Sequence, residues 1–505
     1  MSNPRVVIVG AGFGGLTAAI ELRRAGFEDV AILERGSGLG GTWRDNTYPG
    51  AACDVPSHLY SLSYAQRRDW SRLCSPQDEI LRYLHEVARE HGVDRLVTPD
   101  TEVTACRWED ARAVWIVETA GGATREADAL VLATGQLHRP AFPPLPGRER
   151  FTGHAFHSAQ WDHDYDLRGK RVAIIGTGAT AVQVIPEIAK DVAELVVFQR
   201  TGNWFLPRRN RPYPRAWRTA IRRLPGLQAW RRRFVFEYGE SLTAMIRHPR
   251  TAGRLGAARS GAFMRWQLRG HPALRRAVWP DYTFGCKRVL FSSAFLPALA
   301  RTNVDLVTEP LAHMTPAGPA TADGRVHDVD CVIYATGFRT TSFMFPMEVT
   351  GAGGASLRET WRDGARAYLG MAVPGYPSMF IMYGPNTNTS GGSILVYLEA
   401  QAAYLRQALK HVEAQGAAAL DVRPEVATAE DQAVQARFGG TAWTRCDSWY
   451  RNASGRVVAN WPGYMREYLA RTARVDPADF RFLARPEPAG ARAGAGPQRR
   501  AIFKE

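Results

Sequence analysis

Gly10, Gly12 and Gly15 follow an apolar run in RVVIVGAGFGG and lead into a helical pattern, LTAAIELRRAG. Glycines at this spacing let a strand turn sharply into a helix and bring backbone against a pyrophosphate. The helix N-terminus then offers free N–H donors and a partial positive charge. Glu34 ends the next strand, VAILERG, at 34 − 10 = 24 positions after Gly10, with Arg35 beside it. A carboxylate there accepts from both ribose hydroxyls and repels a 2′-phosphate, so the first turn calls for FAD or NAD. A second turn, RVAIIGTGATA, carries Gly176, Gly178, Thr180 and Ala181. Its following strand, ELVVFQRTG, reaches Arg200 at 200 − 176 = 24, with Thr201 next. A guanidinium at that offset can pair with a 2′-phosphate in fork geometry, which calls for NADP. One FAD-type and one NADP-type site in a chain predict hydride transfer from NADPH to flavin.

The elements that must position these residues form an internal repeat. Each copy exits on a strand ending in Ala-Thr-Gly, DALVLATGQ (128–136) and DCVIYATGF (330–338), the second carrying Thr336 and Gly337. The expected fold class is α/β, with two Rossmann-like dinucleotide-binding domains and a helical insertion in the NADP domain. Residues 1–145 and 373–484 make a discontinuous FAD domain, and 151–372 the NADP domain with its insertion at 207–280. VTACRWEDARAVWIVET (103–119) reads as a hairpin turning near Asp110. Trp217, Ile221, Leu224, Leu227 and Trp230 recur at helical spacing, broken at Pro225-Gly226. That stripe is expected to pack on its own domain rather than on a membrane surface. The stiff RPAFPPLPG (139–147) precedes FTGHAFHSAQWD (151–162), which is neither a good helix nor a good strand. The Pro/Gly/Ala/Arg-rich segment 485–505 predicts a disordered tail.

The chain has 505 residues and a formal charge of +15. Between 207 and 288 the acids are only Glu237, Glu240 and Asp281. With no nucleic-acid module in evidence, this reads as a solvated basic face. The six cysteines form no CxxC pair. No metal site follows, and six free thiols in a reducing compartment are expected. A flavin-linked disulfide reductase would need a redox pair. No run is long enough to span a membrane and no leader is evident, so a cytoplasmic location is expected. Reduced flavin reacting with O2 is the remaining route.

Two stretches carry a family resemblance. FTGHAFHSAQWD resembles the type I Baeyer–Villiger monooxygenase fingerprint FxGxxxHxxxW(P/D), with Phe151, Gly153, His157, Trp161 and Asp162 in register. Flavin-containing N/S-oxygenases carry Tyr or Phe at the position of Trp161. GGTWRDNTYPGAACD (40–54) matches a longer family pattern at Gly41, Trp43, Tyr48, Pro49, Gly50 and Asp54. The resemblance runs from about residue 5 to 480.

The resemblance implies insertion of one oxygen atom from O2 beside a ketone carbonyl, through a flavin peroxide, to give an ester or lactone. It places the fingerprint at the junction of the two domains, with His157 coupling domain position to cofactor binding. It assigns Arg288, in FGCKRVLFSS, as stabiliser of the anionic oxygen species and Asp54 as the carboxylate that orients it. A fixed cation at ~4 Å is worth about 4 kcal/mol at an effective dielectric of ~20, and arginine stays protonated. Lys287 becomes a contact to the NADP phosphate. Gly41, Trp43 and Tyr60 join the cofactor-binding residues, and Gly384 and Asn386 approach the flavin. Trp204, Phe343, Met344, Phe345 and Trp449 are candidates for lining an apolar cavity. An N/S-oxygenase and an uncoupled NADPH oxidase are the alternatives. The ending SWYRNASGRVVANWPGYMREYL (448–469) departs from the ANIPGK-like ending of cyclohexanone-type enzymes, so substrate preference and oligomeric state stay open.

Overall fold

Both glycine turns sit at the C-terminal edges of parallel sheets. The computed structural model describes residues 4–485 apart from 209 and 453, so the tail expected at 485–505 lies outside it beyond Arg485. In the first sheet the strands run Met379–Ile381, Ala129–Leu132, Val6–Val9, Val30–Leu33, Val97–Thr98, all parallel. In the second they run His154–His157, Cys331–Tyr334, Arg171–Ile175, Glu194–Phe198, Val304–Val307, again all parallel. The central strands are buried along their length, as the uninterrupted runs VVIV, VAIL and ALVL require of a sheet covered on both faces.

The two sheets share one strand order, with a difference at one edge. In the first, the outermost strand comes late in the chain; in the second, the same place is taken by His154–His157, which comes first. The segment read as neither helix nor strand is thus a strand. Its order comes from pairing with Cys331–Tyr334, since HAFH alternates no apolar face of its own.

The first sheet packs the helices Phe13–Arg24 and Ile394–Ala414 on one face. A four-stranded sheet covers the other, built on the expected hairpin, Val103–Glu109 with Val114–Thr119. Its edge strand, Glu348–Thr350, was placed by sequence in the NADP domain. Here it pairs with Ala105–Arg107, and Phe343, Met347 and Trp361 pack under the first sheet with Val7 and Leu33. Apolar burial against the hairpin draws this stretch to the first unit.

The insertion folds as helices Arg215–Arg223, Leu227–Arg247, Ala252–Gln267 and Pro272–Ala277. It does not pack on its own domain alone. Arg232 donates to the carbonyls of His58 and Ser61, and buried Glu240 accepts from the backbone N–H of Met465 and Arg466. The stripe is split as well: Ile221 is buried, whereas Leu224 and Trp230 are more than half exposed. Among the described residues no helix is long and apolar enough to cross a membrane.

The expectation of six free thiols is corrected. Cys286 and Cys446 are joined in a disulfide across 160 positions, and Cys53, Cys74, Cys106 and Cys331 are free and buried. Sequence spacing could not show the pair, because only the fold packs the segment around Cys286 against the C-terminal segment that carries Cys446.

Candidate functional site

A single cleft of about 1940 Å³ runs between the two units and is lined by Gly10, Gly12, Glu34, Arg35, Gly41, Trp43, Asp54, Tyr60, Thr180 and Arg288. At its first end, Gly10 adopts φ +105°, and a Cβ there would lie 2.6 Å from the Ala133 carbonyl. Gly12 caps the helix Phe13–Arg24 with no side-chain hydrogen bond, leaving its N–H groups for a ligand. Gly15 packs against the Gly10 carbonyl within that turn. Glu34 is buried and holds the turn itself: Oε2 accepts from the Ala11 N–H at 2.7 Å and Oε1 from the Gly36 N–H at 2.7 Å. Oε2 keeps a further lone pair for a ribose hydroxyl, whereas Oε1 also accepts from Arg44 Nη2. Arg44, which the sequence reading passed over, pairs with Glu34 at 3.2 Å. Trp43 Nε1 donates to the Tyr60 hydroxyl at 2.9 Å, and the Tyr60 ring meets Phe13 edge-on. A cradle of unhindered backbone with a carboxylate at its rim fits an FAD-type dinucleotide.

The second turn repeats the solution. Gly176 has φ +113°, and a Cβ there would lie 2.5 Å from the Ala335 carbonyl, next to Thr336 and Gly337. Ala133 and Ala335 open the two Ala-Thr-Gly exits, so the repeated tripeptide is the wall against which each turn closes. Gly178 caps the helix Ala179–Ile188 with nothing within 4 Å of a Cβ, and Ala181 is fully buried in it. Burial, with the Arg200 guanidinium adding to it, holds the Lys287 ammonium below its ordinary range. Neither has a carboxylate within ion-pair distance among the described residues, and two such cations fit an additional phosphate. Arg200, Thr201 and Lys287 stand outside the lining of the main cleft.

The units meet through Gln183. Its Nε2 donates to the Ala52 carbonyl at 2.9 Å, and its Oε1 accepts from the Tyr48 hydroxyl at 3.1 Å and the Ala52 N–H at 3.3 Å. The motif 40–54 therefore docks on the second turn's helix and ends at Asp54.

Asp54 and Arg288 form a direct hydrogen-bonded ion pair across 234 positions. The Arg288 side chain keeps 45 % of its surface accessible and lines the cleft. Asp54 raises the Arg288 pKa further above its ordinary value, against the effect of burial. Burial pushes the Asp54 carboxyl up, but Arg288, with help from Arg208, outweighs it and holds the group below the usual carboxylate range. The pair is therefore charged across the working pH range. Tyr383 and Tyr450, which no sequence signal singled out, line the cleft and lie within electrostatic reach of Arg288. The free thiols of Cys53 and Cys74 border the same cleft, but burial pushes both up, Cys74 to about 12, so neither is poised as a nucleophile.

The fingerprint residues lie off the cleft, on the edge of the second sheet. A Cβ on Gly153 would meet the Phe151 ring at 2.5 Å and the Asp330 carbonyl at 2.7 Å, which accounts for the Phe-x-Gly spacing. His157 Nδ1 accepts from the Ala159 N–H at 3.1 Å, and its ring sits against Phe142 and Phe338. Burial lowers its pKa to about 4, so it is neutral at physiological pH. Trp161 packs edge-on against Phe156, and Asp162 pairs with His154 at 2.9 Å.

Other expectations are displaced. Asn386 spends its amide on the carbonyls of Val457 and Asn460, and neither it nor Gly384 lines the cleft; Tyr383 and Asn388 do. Trp204 packs in the core against Trp279 and Phe284, and Phe343 and Phe345 pack on Trp361. Met344 reaches the cleft wall, and Trp449 is exposed beside Tyr450.

Comparison with known proteins agrees with this layout. A family model described as pyridine nucleotide-disulphide oxidoreductase matches residues 7–215, spanning both turns. A Baeyer–Villiger monooxygenase of Streptomyces coelicolor is 42 % identical over 492 residues, covering 96 % of this chain and 93 % of that protein. An oxidised steroid monooxygenase bound to NADP superposes with a TM-score of 0.85 at 30 % identity, covering 96 % of this chain and all of that one. The structure of OTEMO in complex with FAD and NADP gives 0.84 at 26 % identity over 95 % of this chain and all of that one. From full-length similarity to such enzymes, the chain belongs to the Baeyer–Villiger monooxygenase family of oxidoreductases.

Proposed function

We propose that the protein is an FAD-containing, NADPH-dependent monooxygenase that inserts one oxygen atom between a ketone carbonyl carbon and its neighbour. Ketone, O2, NADPH and a proton give ester or lactone, water and NADP+. The observation that carries this reading is the Asp54–Arg288 ion pair facing the cleft lined by the first glycine turn and by the start of the second turn's helix, Ala179 and Thr180.

The first turn, Glu34 and the Gly41–Trp43–Tyr60 wall would hold FAD. The second turn, with Arg200, Thr201 and Lys287, would hold NADP by its 2′-phosphate, and Thr336 and Gly337 close that turn. Bound flavin supplies the relay of two electrons from NADPH to O2 and the activated oxygen. The chain supplies the electrostatics. Arg288 cannot lose its proton at neutral pH, so it offers a permanent positive charge to oxygen that becomes negative as the carbonyl is attacked. Asp54 fixes its orientation, and in a partly desolvated cleft that preorganisation counts for more than in water. Gln183 keeps the second unit seated on the first, and His157, on the edge strand of the second sheet, takes a positioning role.

The test is product analysis with NADPH, O2 and a panel of ketones and sulfides. Ester or lactone is expected. Sulfoxide alone would make the protein an N/S-oxygenase, and stoichiometric peroxide with every substrate would make it an oxidase.

A further inference from the structure

Beyond the Asp54–Arg288 pair, one wall of the cleft has more positive charge than the reaction requires. It is formed by Arg72, by Arg208 and Arg211 beyond the strand Phe205–Leu206, and by Arg231 and Arg259 on two helices of the insertion. Among the described residues none of the five has a carboxylate within ion-pair distance, whereas Arg5, Arg44, Arg67 and Arg171 all do. The Nε groups of Arg72 and Arg231 are buried with no hydrogen-bond partner. Buried donors left unpaired are costly, and so mark a place where an acceptor belongs. Arg208 and Arg231 both act on the Cys74 thiol, and Arg208 also on Asp54, so the cluster begins beside the reacting end.

The same wall carries Phe234, Phe263 and Trp266, with Phe234 51 % and Trp266 55 % exposed. Large aromatic faces beside guanidinium groups without a carboxylate partner complement a ligand with an apolar body and an anionic end. The 2′-phosphate is not that anion in the proposed arrangement, because Arg200 and Lys287 stand outside this lining.

We infer that the cleft takes ketones carrying a carboxylate, with the carbonyl at Arg288 and the anion held by Arg208, Arg211 and Arg231. This rests on the ketone-oxidising reading above. The test compares a medium-chain keto acid, its ketone remote from the carboxylate, with its methyl ester, on FAD-loaded protein with NADPH. The acid should be oxidised with kcat/KM about tenfold higher at low salt, with the advantage shrinking as salt rises. Arg211→Gln combined with Arg231→Gln should bring the ratio near one, and Arg231→Lys should retain most of it.

Decanoate, titrated calorimetrically in the presence of NADP+, should bind wild-type protein about tenfold more tightly than the Gln variant. Equal or better oxidation of the methyl ester would overturn the inference and leave the ketone reading intact. Consumption of NADPH with no ester from either compound would instead overturn the ketone reading, and decanoate binding would still decide on the anion site. Binding to phosphatidylglycerol vesicles lost with the same substitutions, with no acid preference in solution, would turn this wall into a membrane-docking face and overturn the substrate assignment.

Discussion

In the proposed reaction Arg288 and Asp54 would divide work that a single side chain could not do. The guanidinium would supply charge and the carboxylate direction. Arg288→Ala should therefore leave flavin reduction by NADPH close to wild type in stopped-flow absorbance while ester formation falls by about 10²-fold or more. Loss of reduction with ester chemistry intact would show that residue 288 serves the nicotinamide instead. The proposed arrangement gives Arg200 and Lys287 to the other nucleotide. Replacing either with Ala should then raise KM for NADPH about tenfold or more and leave KM for NADH little changed, because only NADPH carries the phosphate they would hold. An equal effect on both coenzymes would refute the assignment. At this scale the glycine turns and the two 24-residue offsets were legible directly, since each depends on neighbours in the chain. The Asp54–Arg288 pair was not: from spacing alone nothing ties residue 54 to residue 288, and family resemblance had to join them.

The elements show how local and non-local order share the fold. VVIV and VAIL are strands by composition, and the hairpin at 103–119 turns where Asp110 suggested. His154–His157 is a strand only because Cys331–Tyr334 offers it an edge. Two residues before Arg288, the disulfide Cys286–Cys446 ties the Lys287–Arg288 segment to the loop that carries Tyr450. Titration of the unfolded, unreduced protein should find four thiols, and six after reduction, since four cysteines are free. Six without reduction would remove the tether. Cys446→Ser should lower stability by about 2–4 kcal/mol, read from the chemical denaturation midpoint.

Across the whole molecule, three histidines, His58 and His157 buried and His138 half-buried, set a stability slope. Burial is the leading cause at His58, His138 and His157, each lowered from 6.5 to about 4, with nearby arginines adding to it. Their folded values lie below the unfolded one, so the unfolded chain binds more protons between the two. The stability they contribute is present above about 6.5 and is lost as pH falls toward about 4. Denaturation midpoints measured across that window should fall steadily, and His157→Asn, which keeps an acceptor for the Ala159 N–H, should flatten the slope. A midpoint that holds constant down to pH 4 would refute the burial reading for all three.

What the sequence determined by itself is what a dozen neighbouring residues can encode: two strand–glycine–helix turns, the sign of the charge at the end of each following strand, and a helical insertion short of acids. What only the tertiary structure decided depends on residues that meet from afar. It set Glu348–Thr350 on the first unit, the disulfide across 160 positions, Gln183 as the link between units, and an arginine-lined wall gathered from four separate segments. Such contacts follow from which apolar surfaces can be buried together, and that is a property of the whole chain with no signature in any one stretch of it.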